Sequence, residues 1–492
     1  MSLYREDERG RGAERSAWSR LDLVSIVTVT ALAAALRFYR LAEPHRVIFD
    51  ETYYAKDACW FATASRSLCG IESEQTQVHP PLGKWIISAG IHAFGYDSFG
   101  WRVSAAVAGS LTVALLYLLA RRLLHSTLGA ALASGLLAVD FLHFVQSRVA
   151  MLDVFTALFG VATVLFVVLD REQLADGGRR PGVSGRPWLF AAGVAAGAAL
   201  ATKWSGLLFV FTALVITVAS EFGARRGSSR RGATVVRVAG PSIVLALVVV
   251  PALVYTATYA GLLDGEVFAA PWKQGAWLRA LWDRQFFMLD FHRNLAVSHA
   301  YASPAWSWLL LKRPVSYYFE TAANGDYMEV LAVGDPFVWW ASLAALFYIF
   351  VRWLKRRGPG GAEGIILVAF GMNYLPWLVL TQGRSAVFLF YLVTAVPFMC
   401  LAVAYVPARF ERVPGVPAAT VGFCAIVLAL FVFYYPVLAS VPLEHDDWLA
   451  RIWIFDECDR PPPTPSAGET AGTGASATQN PDDVPPTGWC WI

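Results

Sequence analysis

The sequence predicts an all-α protein that crosses a membrane many times. Three observations carry that prediction. Of 492 residues, 56% are hydrophobic and only 16% charged, and mean hydropathy is +0.48, whereas soluble domains carry about a quarter charged residues. The apolar residues gather into runs of roughly 20, the length at which a helix spans the hydrocarbon core. Arginine-rich segments recur between alternate runs. A formal charge of +3 over this length gives no argument for nucleic-acid binding, and none is predicted.

The first run, 21–41, follows Arg5, Arg9, Arg11, Arg15 and Arg20. It is too long for a signal-peptide core and lacks a small-residue cleavage site, so it reads as a retained span. Further candidates lie at 103–120, 128–146, 152–169, 188–203, 205–221, 238–259, 336–353, 363–381, 386–406 and 417–438, about eleven in all. With the N-terminus cytoplasmic, the inner segments take "ARRLL", "GGRRPGVSGR", "GARRGSSRRGATVVR", "VRWLKRRG" and "ARFERV", as the positive-inside rule requires. The chain then divides into an inner segment 1–20, a membrane module 21–259 with an outer loop 42–102, an outer segment 260–335, a four-helix membrane region 336–438 and an outer tail 439–492. No internal repeat relates the spans before 260–335 to those after it, which weighs against a transporter built from matched halves.

The outer segments have structure of their own. "AKDACWFATASR" and "LGKWIISAGIHAFG" in the first loop mix apolar and polar residues at helical spacing, predicting helices that lie on the interface. "AAPWKQGAWLRALWDRQFFMLDFH" in the second repeats the pattern, and an interfacial aromatic belt accounts for many of its rings. The tail is low in complexity through "PPPTPSAGETAGTGASATQNPDDVPPTG" and closes on the apolar "WCWI". Cys59, Cys69, Cys458 and Cys490 all fall in outer segments, where disulfides form; bridges Cys59–Cys69 and Cys458–Cys490 are expected, with Cys400 and Cys424 in spans.

The chemistry begins at "RVIFDETYY", which sets Asp50 and Glu51 side by side just beyond the first span. A single acid there is ordinarily a solvated loop charge. Two adjacent acids near hydrocarbon point to one working group and one paired group. Asp153, in "QSRVAMLDVF", opens the next outer turn; capping or pairing with Arg148 is one reading, and a share in a common outer cavity the other. Cations gather at the same edge: Lys203 in "ATKWSG", Lys84 in "HPPLGKW", Arg102 in "FGWRVS", Arg313 in "LLKRPVSYY" and Arg384 in "TQGRSAVF". Acids beside cations suit a phosphate-bearing lipid substrate. His79, His292 and His299 match no standard ligand spacing, so no metal is predicted. Trp306 and Trp308 offer faces for a sugar ring, or pack at the interface.

Six motifs stand in order: "FDETYYAKDA", "HPPLGKW", "SRVAMLDVF", "ATKWSG", "HAYASPAWSWLLLKRPVSYY" and "GDPFVWW". In this the chain resembles the protein O-mannosyltransferases of the glycosyltransferase class C (GT-C) superfamily, most closely the actinobacterial branch. The resemblance implies a GT-C fold at the plasma membrane and transfer of mannose from polyprenyl-phosphate-mannose to Ser or Thr hydroxyls of secreted or translocating proteins. It implies Asp50 as the catalytic residue, here a general base in a single inverting displacement. Glu51 would orient the acceptor or the first loop, and Asp153, His79, Tyr301 and Trp306 would bind sugar or acceptor. Lys203, Lys84, Arg102, Arg313 and Arg384 would share the lipid phosphate. No cofactor beyond the lipid-linked donor is required, and the partners are that donor, acceptor proteins, membrane lipids and a contact with the secretion translocon. Eukaryotic members insert a lumenal β-trefoil module between their halves, and 260–335 has no room for one. Two rivals stay open: a related transferase acting on a glycolipid or wall polymer, and a transporter using Asp50, Asp153 and Lys203 as an ion relay. Asp140, inside a predicted span, bears on the second.

Overall fold

The computed structural model describes residues 18–63, 65–71, 78–176, 185–224, 239–259, 277–295, 299–356, 361–381, 386–453 and 491. Ser19 and Asp22 form a reciprocal capping box that starts α1, Arg20–Phe38. The same Asp22 carboxylate accepts bonds from Arg121 at 2.7 Å, Tyr117 at 3.1 Å and Thr127 at 2.8 Å. One buried acid thus ties the first span to the next two. Two shorter helices follow in the first outer loop, α2 (Glu51–Thr63) and α3 (Leu82–Phe94), where the sequence predicts amphipathic ones.

The long α4, Ser98–Leu124, is opened by the Asp97 side chain on the Gly100 N–H and ends on His125 in the left-handed conformation. It packs against α1 and α3, and against α5 (Thr127–Val139) and α7 (Asp153–Asp176). The run predicted at 128–146 breaks at Asp140. Its carboxylate accepts the His143 N–H at 2.9 Å, capping a new short helix, α6 (Phe141–Gln146), and accepts Trp339 Nε1 at 2.9 Å. Asp140 therefore caps and anchors.

Then come α8 (Pro187–Thr202), α9 (Leu207–Ala224) and α10 (Gly240–Tyr259), the last with a π-helical stretch at 245–249. α8 packs against α7, α9 and α10. The outer segment contributes α11 (Trp277–Asn294) and a hairpin of β1 (Val315–Thr321) and β2 (Tyr327–Ala332). The C-terminal membrane region holds α12 (Pro336–Arg356), α13 (Ala362–Tyr374), α14 (Val396–Phe410) and α15 (Val416–Leu438), and α16 (His445–Leu449) opens the tail.

Among the described residues, eight helical stretches are long and apolar enough to cross a membrane. Three further predicted runs hold the shorter apolar helices α5, α8 and α14 of 13, 16 and 15 residues. At about 1.5 Å per residue these reach roughly 20–24 Å, less than a full hydrocarbon core.

The hairpin is absent from an all-α expectation. β1 and β2 pair antiparallel from Val315↔Ala332 to Thr321↔Tyr327, with a bulge between Ser316 and Tyr318. The turn contains Asn324 followed by Gly325 at φ 90°, a conformation glycine adopts without steric cost. The tail closes onto this hairpin. Tyr327 bridges to Leu443, and the buried Glu329 carboxylate accepts Trp448 Nε1 at 2.7 Å.

Candidate active site

The site is built on the loop between α1 and α2. Two buried arginines hold its course. Arg148 Nη1 donates to the carbonyls of Leu36, Arg37 and Tyr39 and Nη2 to that of Arg40, closing the otherwise unsatisfied C-terminal end of α1. It is engaged there and not with Asp153. Arg102 spreads its donors over the carbonyls of Leu41, Ala42, Pro44 and Arg46 and over both oxygens of Glu51.

That arrangement separates the two adjacent acids. Glu51 is fully buried. Its Oε1 accepts Arg102 Nε at 2.8 Å and the Ala150 N–H at 2.9 Å, and its Oε2 accepts Arg102 Nη2 at 2.9 Å and the Ile48 N–H at 3.0 Å. A carboxylate with four donors has no oxygen left for a substrate. The expectations that Glu51 is catalytic and that Arg102 binds phosphate are corrected: the pair staples the loop to α4 and to the turn before α7.

Asp50 is the opposite case. It is partly exposed, and among the described residues its carboxylate makes one long bond, from Tyr54 Oη at 3.4 Å. Tyr54 lies one turn on, at the i+4 position of α2. Burial pushes the Asp50 carboxyl up to about 6; the charge of Lys203 opposes that rise and the charge of Asp153 adds to it. Asp153, at the start of α7, takes both its oxygens to Lys203 Nζ at 2.9 Å each. Lys203 stands in the break between α8 and α9 with its ammonium 4.5 Å from the Tyr391 ring centroid. The site thus brings together a loosely held carboxylate, a carboxylate–ammonium pair and an aromatic wall.

Residues 27–262 match the family described as dolichyl-phosphate-mannose-protein mannosyltransferase, and residues 277–456 match the C-terminal four-transmembrane region of protein O-mannosyltransferase. The polyprenol-phosphate-mannose–protein mannosyltransferase of Mycolicibacterium smegmatis is 32% identical, over 87% of this chain and 91% of that protein. The chain belongs to the protein O-mannosyltransferase family. The Corynebacterium glutamicum protein of the same name is 28% identical over 89% of this chain and 94% of its own length. Among solved structures, the Saccharomyces cerevisiae Pmt1-Pmt2 protein O-mannosyltransferase complex bound to the sugar donor aligns with a TM-score of 0.71 at 15% identity, covering 89% of this chain and 93% of that one. ArnT from Cupriavidus metallidurans bound to undecaprenyl phosphate aligns at 0.51 and 21% identity, covering 83% of this chain and 65% of that one. At these identities the two structures speak to the fold.

The other predicted site residues of this family member scatter. Lys84 is buried against Asp57 at 2.6 Å, both side chains 2% exposed. It joins α3 to α2, which corrects its expected place at the phosphate. Arg313 is buried before β1. His79 sits with its ring 5.9 Å from that of Tyr54 and 5.1 Å from that of His292, beside the residue that touches Asp50. Tyr301 lies against His299, whose ring meets Phe49 edge-on. Trp306 is exposed with Lys312 over it, whereas Trp308 is core and donates to Ser303. Arg384 lies outside the described residues. Cys59 and Cys69 form a disulfide with Cα atoms 5.7 Å apart; Cys458 and Cys490 lie outside the described residues. Sequence reasoning passed over Tyr54, Gln146, Tyr317 and Tyr391, of which only Tyr54 carries a local signal, its spacing from Asp50.

Proposed function

We propose that the chain transfers mannose from polyprenyl-phosphate-mannose to Ser or Thr hydroxyls of proteins on the outer face of the plasma membrane, with Asp50 as general base. The observation that carries the assignment is the contrast within the acid pair: Glu51 is saturated with donors, and Asp50 keeps its lone pairs. A Ser or Thr hydroxyl is a weak nucleophile near neutral pH. Asp50 accepts its proton as the oxygen attacks the anomeric carbon, and general-base help of this kind contributes about 10²- to 10⁴-fold in rate. The bond from the anomeric carbon to the phosphate oxygen breaks with its electron pair, the lipid phosphate departs as an anion, and one displacement inverts the anomeric centre.

A phosphate leaving group needs a cation more than an acid. Lys203 takes that part together with Arg384, and Asp153 fixes the ammonium so that it need not reorganise. His79, Tyr301 and Trp306 are left for the sugar and the acceptor chain. This displacement asks for no metal. The N-terminus lies inside and the tail outside, where acceptors emerge from the translocon.

The test uses full-length protein in detergent, labelled polyprenyl-phosphate-mannose and a Ser/Thr-rich peptide. Wild type is expected to label the peptide, and Asp50→Asn to retain donor binding and lose transfer. An Asp50→Asn variant that transfers at the wild-type rate would remove the base assignment. Label reaching only a glycolipid acceptor would remove the protein acceptor.

A further inference from the structure

Asp50 has little of its own to orient it, yet a general base has to be held within a fraction of an ångström of its proton. The residue before it supplies an answer. Phe49 has φ 47°, in the left-handed region that a bulky side chain adopts only where its surroundings impose it. Those surroundings are aromatic. The Phe49 ring stacks on Tyr317 with centroids 4.5 Å apart and planes at 19°. Phe390 at 5.6 Å, Phe388 at 6.2 Å and His299 at 6.2 Å meet it edge-on.

Tyr317 is itself pinned. Its hydroxyl bonds the side-chain amide of Gln146, at the end of α6 in the protein interior, at 2.7 Å. Its backbone belongs to β1, and the same strand reaches the loop again through Glu320, paired with Arg46 at 3.0 Å. Relaxing Phe49 to an ordinary backbone conformation would turn the peptide that leads into Asp50 and swing its carboxylate away from Tyr54.

We infer that Phe49, Tyr317 and Gln146 form a clamp, running from the hairpin to the core, that positions Asp50. The inference rests on the reading of Asp50 as the base. The three residues act through Asp50, and the ring of Phe49 also keeps water from the carboxylate, which otherwise faces Tyr54 of α2, Asp153 of α7 and Lys203 between α8 and α9.

The experiment measures kcat, donor KM and the pH profile of full-length variants in detergent. Phe49→Leu is expected to lower kcat about 10- to 100-fold, the scale of a small misplacement of a catalytic group, with donor KM unchanged. Its acid limb should move to lower pH as water reaches Asp50. Phe49→Tyr keeps the ring and should recover most of kcat. Tyr317→Leu removes the stack from the other side and should reproduce the Phe49→Leu result, and Tyr317→Phe, which keeps the ring and loses only the Gln146 bond, should fall in between. If Phe49→Leu or Tyr317→Leu folds poorly, Tyr317→Phe decides: wild-type kcat with an unmoved acid limb overturns the clamp. Folded Phe49→Leu and Tyr317→Leu with wild-type kcat overturn it as well. Should Asp50→Asn be dead while those variants are fully active, the clamp alone has failed; should Asp50→Asn be active, the base assignment has failed first.

Discussion

Glu51→Ala tests the division between the two adjacent acids most directly. The mutation removes both oxygens that face Arg102, at 2.8 and 2.9 Å, and the acceptors of the Ile48 and Ala150 N–H groups. Glu51 and Arg102 are both fully buried. Breaking a buried pair leaves an uncompensated charge and costs about 3–5 kcal/mol, against a total stability of about 5–15 kcal/mol for a typical domain. The two orphaned N–H groups sit in the same network, so their loss does not simply add. Thermal unfolding in detergent should therefore show a large drop for Glu51→Ala, a similar one for Arg102→Ala and none for Asp50→Asn. Transfer per folded molecule should rank the other way, with Asp50→Asn lowest. A Glu51→Ala protein that melts with wild type and yet transfers no mannose would refute the reasoning, because it would give the chemistry to the residue the structure uses as a staple.

Three further outcomes follow from the same geometry. Asp50 titrates near 6 and must be deprotonated to act, so kcat should fall about tenfold per pH unit below that value, as a pH–rate profile will show. Because burial raises this carboxyl in the fold, its charged form is the less stable one; any contribution is lost as pH rises from the ordinary carboxylate range through about 6, and Asp50→Asn should melt no lower than wild type at neutral pH. Lys203→Met takes away the charge that opposes the rise, so its acid limb should shift upward, and by stranding Asp153 it should also lower the melting temperature. Opening the Cys59–Cys69 bridge, which spans a separation of 10 residues, should cost about 2–3 kcal/mol by loop entropy, read as a lower melting temperature in reductant or in Cys59→Ser.

The membrane architecture was legible because bilayer thickness imposes one length on every apolar run, and each predicted run contains an apolar helix. Where the reading slipped, a local rule prevailed. The 128–146 run breaks because Asp140 offers a cap to the His143 N–H. The hairpin went unseen although "VSYYFET", the Asn-Gly turn and "YMEVLA" spell one, since a membrane reading looks for length before alternation. In the site, Asp50 was legible from its position beyond the first span. The partners of Arg102 and Lys84 were not, because Arg102 pairs with Glu51 across 51 residues and which cation meets which acid is decided by packing.

Bond accounting then sorts what charge alone groups together. Arg102 directs its donors to four carbonyls and Glu51, Arg148 to four carbonyls, and Lys84 is closed against Asp57. Each anchors loop, helix end or helix pair in a setting where an unsatisfied group is expensive. Lys203 is also paired, but with an acid whose charge reaches Asp50, so it belongs electrostatically to the site. Burial of a cation at the membrane edge is thus no sign of phosphate binding by itself. What distinguishes a working group here is spare bonding capacity beside a partner that remains in the field of the reaction, and by that measure the first loop offers Asp50.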